Sequence, residues 1–236
     1  MRIAETERFR RRVAGVSLIG FAAALVAQDL VGPRTPSDAA GTYAAVAADR
    51  GGMVATSVLL LVSSLFLVPA VWGILHVLRE RGVTLGHVGG ALAIVGALGH
   101  VAVMTYQLAL VEMTRTGDRE AMVALIDRLD SSPVVGVVVF PMILAFALGL
   151  LILAIALWRA RFVQGWAALL VVAAVALDIG APDGAPAAVS VAKQLLVFAA
   201  FAYVGLRMLR MSDSDWDGAP EPAVDRKHVV ATALPV

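Results

Sequence analysis

Six side chains able to carry charge or exchange hydrogen bonds interrupt long apolar stretches of this 236-residue chain: Asp29, His100, Gln107, Glu112, Asp178 and Lys193. Carboxylates, an imidazole, an amide and an ammonium are the groups that move protons or orient a polar ligand. An ionisable group within a membrane span costs at least about 2.5–3.5 kcal/mol, so it usually faces a protein interior and finds a partner there. On the apolar run 87–112, His100, Met104 and Gln107 share one helical face, whereas Tyr106 and Glu112 point elsewhere. Asp178 and Lys193 lie on consecutive runs and have opposite charge, which suits an ion pair between neighbouring helices.

Depth follows from helix rise. Counted at about 1.5 Å per residue from the flanking arginines, Asp29 and Asp178 lie about 25 Å up and Lys193 about 20 Å up, and His100 lies about 20 Å above His87 at the start of its run. Glu112 ends its run. All therefore fall in the outer half of a core about 30 Å thick. Two arrangements satisfy them. Asp29, His100, Gln107, Asp178 and Lys193 line an outward-opening polar pocket; alternatively the acids sit among the headgroups, Lys193 snorkels to that level and His100 bonds a carbonyl.

These residues support two kinds of function. In one, the protein is a non-enzymatic accessory, transport or lipid-binding protein, with His100, Gln107 and Lys193 as ligand contacts. In the other, it is an intramembrane enzyme acting on an isoprenoid or other lipidic substrate. Asp29, Glu112 or Asp178 would then be the catalytic acid, because a carboxylic acid in an apolar cavity holds its proton and can protonate an alkene or epoxide, as terpene cyclases do. The scarcity of reactive groups favours the first. HExxH zinc sites, GxSxG elbows and P-loops are absent. His76 and His87 lie near the inner surface and His228 in the tail, so His100 has no counterpart for haem. No cofactor and no metal site is expected. The absence of cysteine excludes disulfides and iron–sulfur clusters.

The elements that carry these residues are six apolar runs at about 13–31, 53–78, 87–112, 134–158, 163–181 and 190–206, each long enough or nearly so to span a bilayer. The chain is 60% hydrophobic and 16% charged, with a mean hydropathy of +0.85, against about 25% charged in soluble domains. The fold expected is all-α: residues 1–210 form a six-helix transmembrane domain with a short interfacial outer helix, and 211–236 a disordered cytoplasmic tail. Val13–Leu25 also suits a signal peptide, but Leu25-Val26-Ala27-Gln28 offers a poor cleavage site and the first span is expected to remain.

Eleven arginines flank one set of helix ends (Arg2, Arg8, Arg10, Arg11, Arg12, Arg79, Arg81, Arg159, Arg161, Arg207 and Arg210) and five the other. The positive-inside rule then places both termini in the cytoplasm. Of 19 basic residues 17 are Arg, a bias of GC-rich bacterial genomes, which suggests a bacterial inner-membrane protein. Basic residues without aromatic interleaving exclude nucleic acid. Membrane lipids, a lipidic small molecule, and a second copy or a membrane partner protein are the partners expected.

Residues 118–130 place Met122, Leu125, Ile126 and Leu129 on one helical face, as in a short interfacial helix. Ser37–Asp49 is a second such helix, capped by Ser37 and closed by Gly51-Gly52. Pro69 with Arg79/Arg81 and Pro141 with Arg159/Arg161 suggest a repeat of two hairpins, opened onward by Gly86 and Gly165, with the first and sixth spans beside this four-helix core. Gly89, Gly96 and Gly99 share a face of 87–112 and mark it as the central helix. The stretches AAVAADRGGMVATSVLLLVSSLFLVPAVWGILHVLRERGVTLGHVGGALAIVGALGH and ALWRARFVQGWAALLVVAAV resemble an uncharacterised group of six-span actinobacterial integral membrane proteins of unknown function. That resemblance implies the fold and location and carries no catalytic residues.

Overall fold

The structure is a computed structural model that describes residues 3–115, 117–180 and 187–217. The described residues are helical throughout, without a strand: α1 (Ile3–Val31), α2 (Ala39–Ala48), α3 (Arg50–Val77), α4 (Val83–Met113), α5 (Arg119–Asp130), α6 (Pro133–Arg159), α7 (Gly165–Gly180), α8 (Ala187–Arg210) and α9 (Asp213–Asp217). α1, α3, α4, α6 and α8 are long and apolar enough to cross a membrane. α7 is equally apolar but has 16 residues, about 24 Å at 1.5 Å per residue. The span expected at 163–181 is thus a short one.

α7 nevertheless completes an even number of passes. Arg8 and Arg11, near the start of α1, pair with Asp213 beyond the end of α8 at 2.8 and 2.9 Å. The start of α1 and the segment after α8 therefore meet at one end of the bundle.

α1 packs on α3, α3 on α4, α4 on α6, α6 on α7, α7 on α8 and α8 back on α1. The helices thus form a closed ring. This corrects the four-helix core with the first and last spans beside it: Ala14, Leu18, Phe21, Ala22 and Leu25 of α1 are buried within the main core, together with Phe201 and Val204 of α8. α1 is small and apolar on the faces it turns to α3 and α8, so both neighbours approach closely. A Cβ on Gly73 would lie 2.3 Å from that of Ala14, and one on Gly205 2.7 Å from the Gly15 carbonyl. Nor is α4 central; Gly86 and Gly90 face α3, and its other glycines serve the seam with α6. Gly96 lies against the Phe146 backbone, Gly99 against Met142, Gly89 against Leu153, and Gly149 of α6 against Ala93. Lipid gives apolar helices no reason to associate, so dispersion across such close contacts holds the seam.

The ends of the bundle differ. At one, α2 and α5 form a small separate core of Tyr43, Val46 and Ile126 over Met53, Leu110 and Val111. α2 is capped by Asp38, whose carboxylate accepts from the Gly41 N–H at 2.7 Å, rather than by Ser37. Gly51 and Gly52 do not close it but open α3, where Asp49 is the cap. α4 likewise begins after Gly82, in the left-handed region at φ 93°, and not at Gly86, which packs on Leu78.

At the other end, Met211–Asp217 is ordered, against the expectation of a disordered tail from 211 onward; residues 218–236 lie outside the described residues. Ser212 and Asp215 cap α9 reciprocally: the Asp215 N–H donates to Ser212 Oγ at 3.1 Å and the Ser212 N–H to Asp215 Oδ2 at 3.4 Å. This turn places Trp216 beneath the bundle, 3% exposed and stacked on His76 at 4.3 Å. His76 Nε2 also meets the Trp216 carbonyl at 2.9 Å.

Candidate functional site

All six ring helices line one cavity of about 330 Å³ in the half of the bundle nearer α5. Helical periodicity explains how each contributes a single face. α1 supplies Leu25, Gln28 and Asp29; α3, Thr56 and Leu60; α4, His100, Val103 and Gln107; α6, Ile143, Phe146, Ala147 and Leu150. α7 adds Ala174, Val175 and Asp178, and α8 adds Lys193, Gln194 and Val197. Nearly all of these are separated by three, four or seven residues on their own helix, the spacing of one side.

The floor is apolar. Phe21 meets Phe146 edge-on at 6.1 Å and Phe201 at 5.9 Å, closing the ring from three helices. Below them Leu153, Leu157 and Met208 are fully buried. The polar groups stand above this plug, toward α5.

Lys193 Nζ donates to Asp178 Oδ1 at 2.5 Å across the α7–α8 seam. Ser190, one turn before Lys193, donates its hydroxyl to Asp29 Oδ2 at 2.5 Å and links α8 to α1. Arg34, beyond α1, donates to the Asp29 carbonyl at 3.2 Å. Ser57 donates to Gln107 Oε1 at 3.1 Å and so ties α3 to α4, while Thr56 donates to the Gln28 carbonyl at 3.3 Å and ties α3 to α1. The His100 ring rests against Phe146 at 4.2 Å, and its Nδ1 is buried with no hydrogen-bond partner among the described residues.

Of the residues singled out from the sequence, Asp29, His100, Gln107, Asp178 and Lys193 thus surround one cavity. Glu112 does not. It is exposed at the end of α4, 3.5 Å from Arg115 just beyond the helix, and the carboxylate that Tyr106 reaches is that of Asp130, at 2.7 Å. The α4 face exposed to the cavity carries Val103 where Met104 is expected.

The sequence reading missed Gln28, Thr56, Ser190 and Gln194. Their signal is present: Gln28 neighbours Asp29, and Ser190, Lys193 and Gln194 recur at three and four residues on an otherwise apolar helix.

The lining carries two carboxylates and one ammonium, with three glutamine amides, a threonine hydroxyl and an imidazole. One carboxylate is taken by the ammonium. No group of three or more His, Asp or Glu that would hold a metal occurs among the described residues. The arrangement offers hydrogen bonds around a polar head above an apolar floor. No known protein family matches the chain, and no curated protein or solved structure matches it either.

Proposed function

We propose that this integral membrane protein is non-enzymatic and binds a lipidic amphiphile, holding its head among Asp29, His100, Gln107, Asp178 and Lys193. One observation carries the reading: polar side chains from separate helices converge on a cavity of about 330 Å³ that ends on an aromatic floor. The volume is at the lower end of the about 300–1,000 Å³ typical of ligand pockets. Buried polar groups that do not all pair with one another favour a polar occupant.

The arginine distribution supports cytoplasmic termini in a bacterial inner membrane, and with them a cavity in the outer half. The resemblance to six-span actinobacterial proteins agrees with that location and adds no activity.

Lipid identification by mass spectrometry on protein purified in mild detergent tests the reading. A lipid retained near one per chain, and lost on His100→Leu combined with Gln107→Leu in a variant that still elutes as folded protein, is the expected result. Protein free of any retained lipid under several detergents would overturn it.

The enzymatic alternative keeps one acid. Asp178 is engaged by Lys193 and Glu112 lies outside the cavity, which leaves Asp29, with one oxygen held by Ser190. Conversion of an isoprenoid alkene or epoxide by the wild type, abolished by Asp29→Asn, would favour that reading over binding alone.

A further inference from the structure

We propose that the cavity is loaded sideways from the leaflet on the α5 side, through the seam between α6 and α7, and that its ligand is an uncharged single-chain amphiphile with a hydroxyl or carbonyl head. The proposal rests on the reading of the cavity as a lipid site.

The seam is the thinnest contact around the ring. A helix packed on one side exposes residues at intervals, but Val134 to Val138 of α6 are all exposed in succession, Val134 and Val137 at 75%, followed by Phe140 at 67%. A Cβ on Gly136, in the middle of this stretch, would meet nothing within 4 Å. α7, on the other side, is the short helix and ends at Gly180, with Ile179 73% exposed. Elsewhere the ring is closed. At the level of the cavity glycines seal α4–α6, the Ser190–Asp29 hydrogen bond bridges α1–α8, and the Lys193–Asp178 pair bridges α7–α8. Ile143 and Val175, from the two sides of the seam, both line the cavity. A chain passing between them leaves its remaining length in lipid, where its methylenes belong, and only the head needs the available volume.

Charge selects the head. A phosphate or carboxylate would meet Asp29 and Asp178, with the one lining cation already taken by Asp178. An ammonium would compete with Lys193 for Asp178, and Asp29 already accepts from Ser190 and lies beside Arg34. Glutamine amides and an imidazole both donate and accept, which matches hydroxyl and carbonyl groups.

The test uses the full chain in nanodiscs and three probes that share an oleyl chain: monooleoylglycerol, oleate and oleylamine. Native mass spectrometry should show monooleoylglycerol binding about tenfold tighter than either charged probe, and about tenfold weaker to His100→Leu, as one or two lost hydrogen bonds imply. Tighter binding of oleate or oleylamine would overturn the head-group assignment and leave the lipid site standing. No binding of any probe, with no native lipid retained, would overturn both.

The route is tested with Leu144→Cys and Ile179→Cys, both exposed and the latter on the same face of α7 as Val175, in a chain that has no other cysteine. Bridging them with a reducible bis-maleimide should slow exchange of deuterated for unlabelled monooleoylglycerol about tenfold, and reduction should restore it. Unchanged exchange across a verified bridge would overturn lateral loading.

Discussion

Asp178 and Lys193 come from helices that neither charge would enter alone, so each is the condition for the other. Removing one partner of such a pair strands the remaining ion, which is a larger effect than the net worth of the pair. Lys193→Met should therefore lower stability in detergent by about 1–3 kcal/mol, and adding Asp178→Asn should recover most of the loss. Two additive, near-neutral changes in melting temperature would show that both groups simply reach water. Asp213 is a different case, since it lies outside the spans. The Arg8 guanidinium that donates to it, together with the charges of Arg8, Arg11 and Arg12, holds its carboxyl below the usual range. A depressed value means that the docked state binds fewer protons than the free one, so docking is full above the ordinary carboxyl range and is lost as pH falls through the lowered value. Glu7, Asp215, His76 and Arg79 complete the charged surroundings of α9. Hydrogen exchange of residues 211–217 should show protection falling with acid in that direction, and Asp213→Asn should lack protection at neutral pH.

Two elements are held by a single kind of contact each. α4 and α6 meet through glycine, and a Cβ on Gly96 would lie 2.3 Å from the Phe146 Cβ and 2.4 Å from its Cα. Backbone cannot rotate away as a side-chain tip can. Gly96→Ala should thus cost about 1–3 kcal/mol through separation of the seam, the usual range for overpacking. Gly136→Ala, with nothing within 4 Å of its Cβ, should be neutral or slightly stabilising in the same melting assay. α5 is held by its apolar stripe. Its Asp118 carboxylate caps the Ala121 N–H at 3.0 Å, and Ile126 is the side chain fully buried against α2 and the end of α4. Ile126→Asp should lower stability by about 1–3 kcal/mol or more, by burying an unpaired charge, and should exceed the effect of the half-buried Leu125→Asp. Equal effects would mean that α5 lies loosely on the surface. The same end is tied by Arg50, which donates to Thr114 Oγ1 at 2.9 Å and to its carbonyl at 2.7 Å, closing the last turn of α4.

The whole molecule is a ring that is closed at the terminal end and hollow toward α5. Contact between Arg8, Arg11 and Asp213 requires an even number of passes, which the short α7 completes. Reporter fusions after Gly82 and Phe162 should accordingly read on the same side as one at the start of α1, and fusions after Gly117 and Gly180 on the other. Reversal at two of these four positions would overturn the six-pass topology. Asymmetry along the membrane normal also follows from side-chain placement: among the described residues the ionisable groups at depth lie above the Phe21–Phe146–Phe201 plug, so a ligand can enter one half without opening a path through the bilayer.

Apolar run length and arginine placement are local properties, so they were legible without coordinates: the helical class, the number of passes and the existence of α5 all follow from windows of about 20 residues or fewer. The polar residues at depth were legible for the same reason, because each is conspicuous on its own helix. Which helices are neighbours was not. Lipid gives every apolar face the same environment, so periodicity does not tell a lipid-facing stripe from a packed one, and the place of α1 within the ring depended on Gly73 and Gly205 meeting Ala14 and Gly15 across long sequence distance. The order at Met211–Asp217 likewise needed a tertiary partner. Ser212-x-x-Asp215 marks a helix start, but a turn of five residues is unstable alone, and it is Trp216 on His76 with Asp213 between Arg8 and Arg11 that holds it. Convergence of Asp29, His100, Gln107, Asp178 and Lys193 on one cavity is the largest such decision, since five positions on four helices share a centre only once the ring has closed.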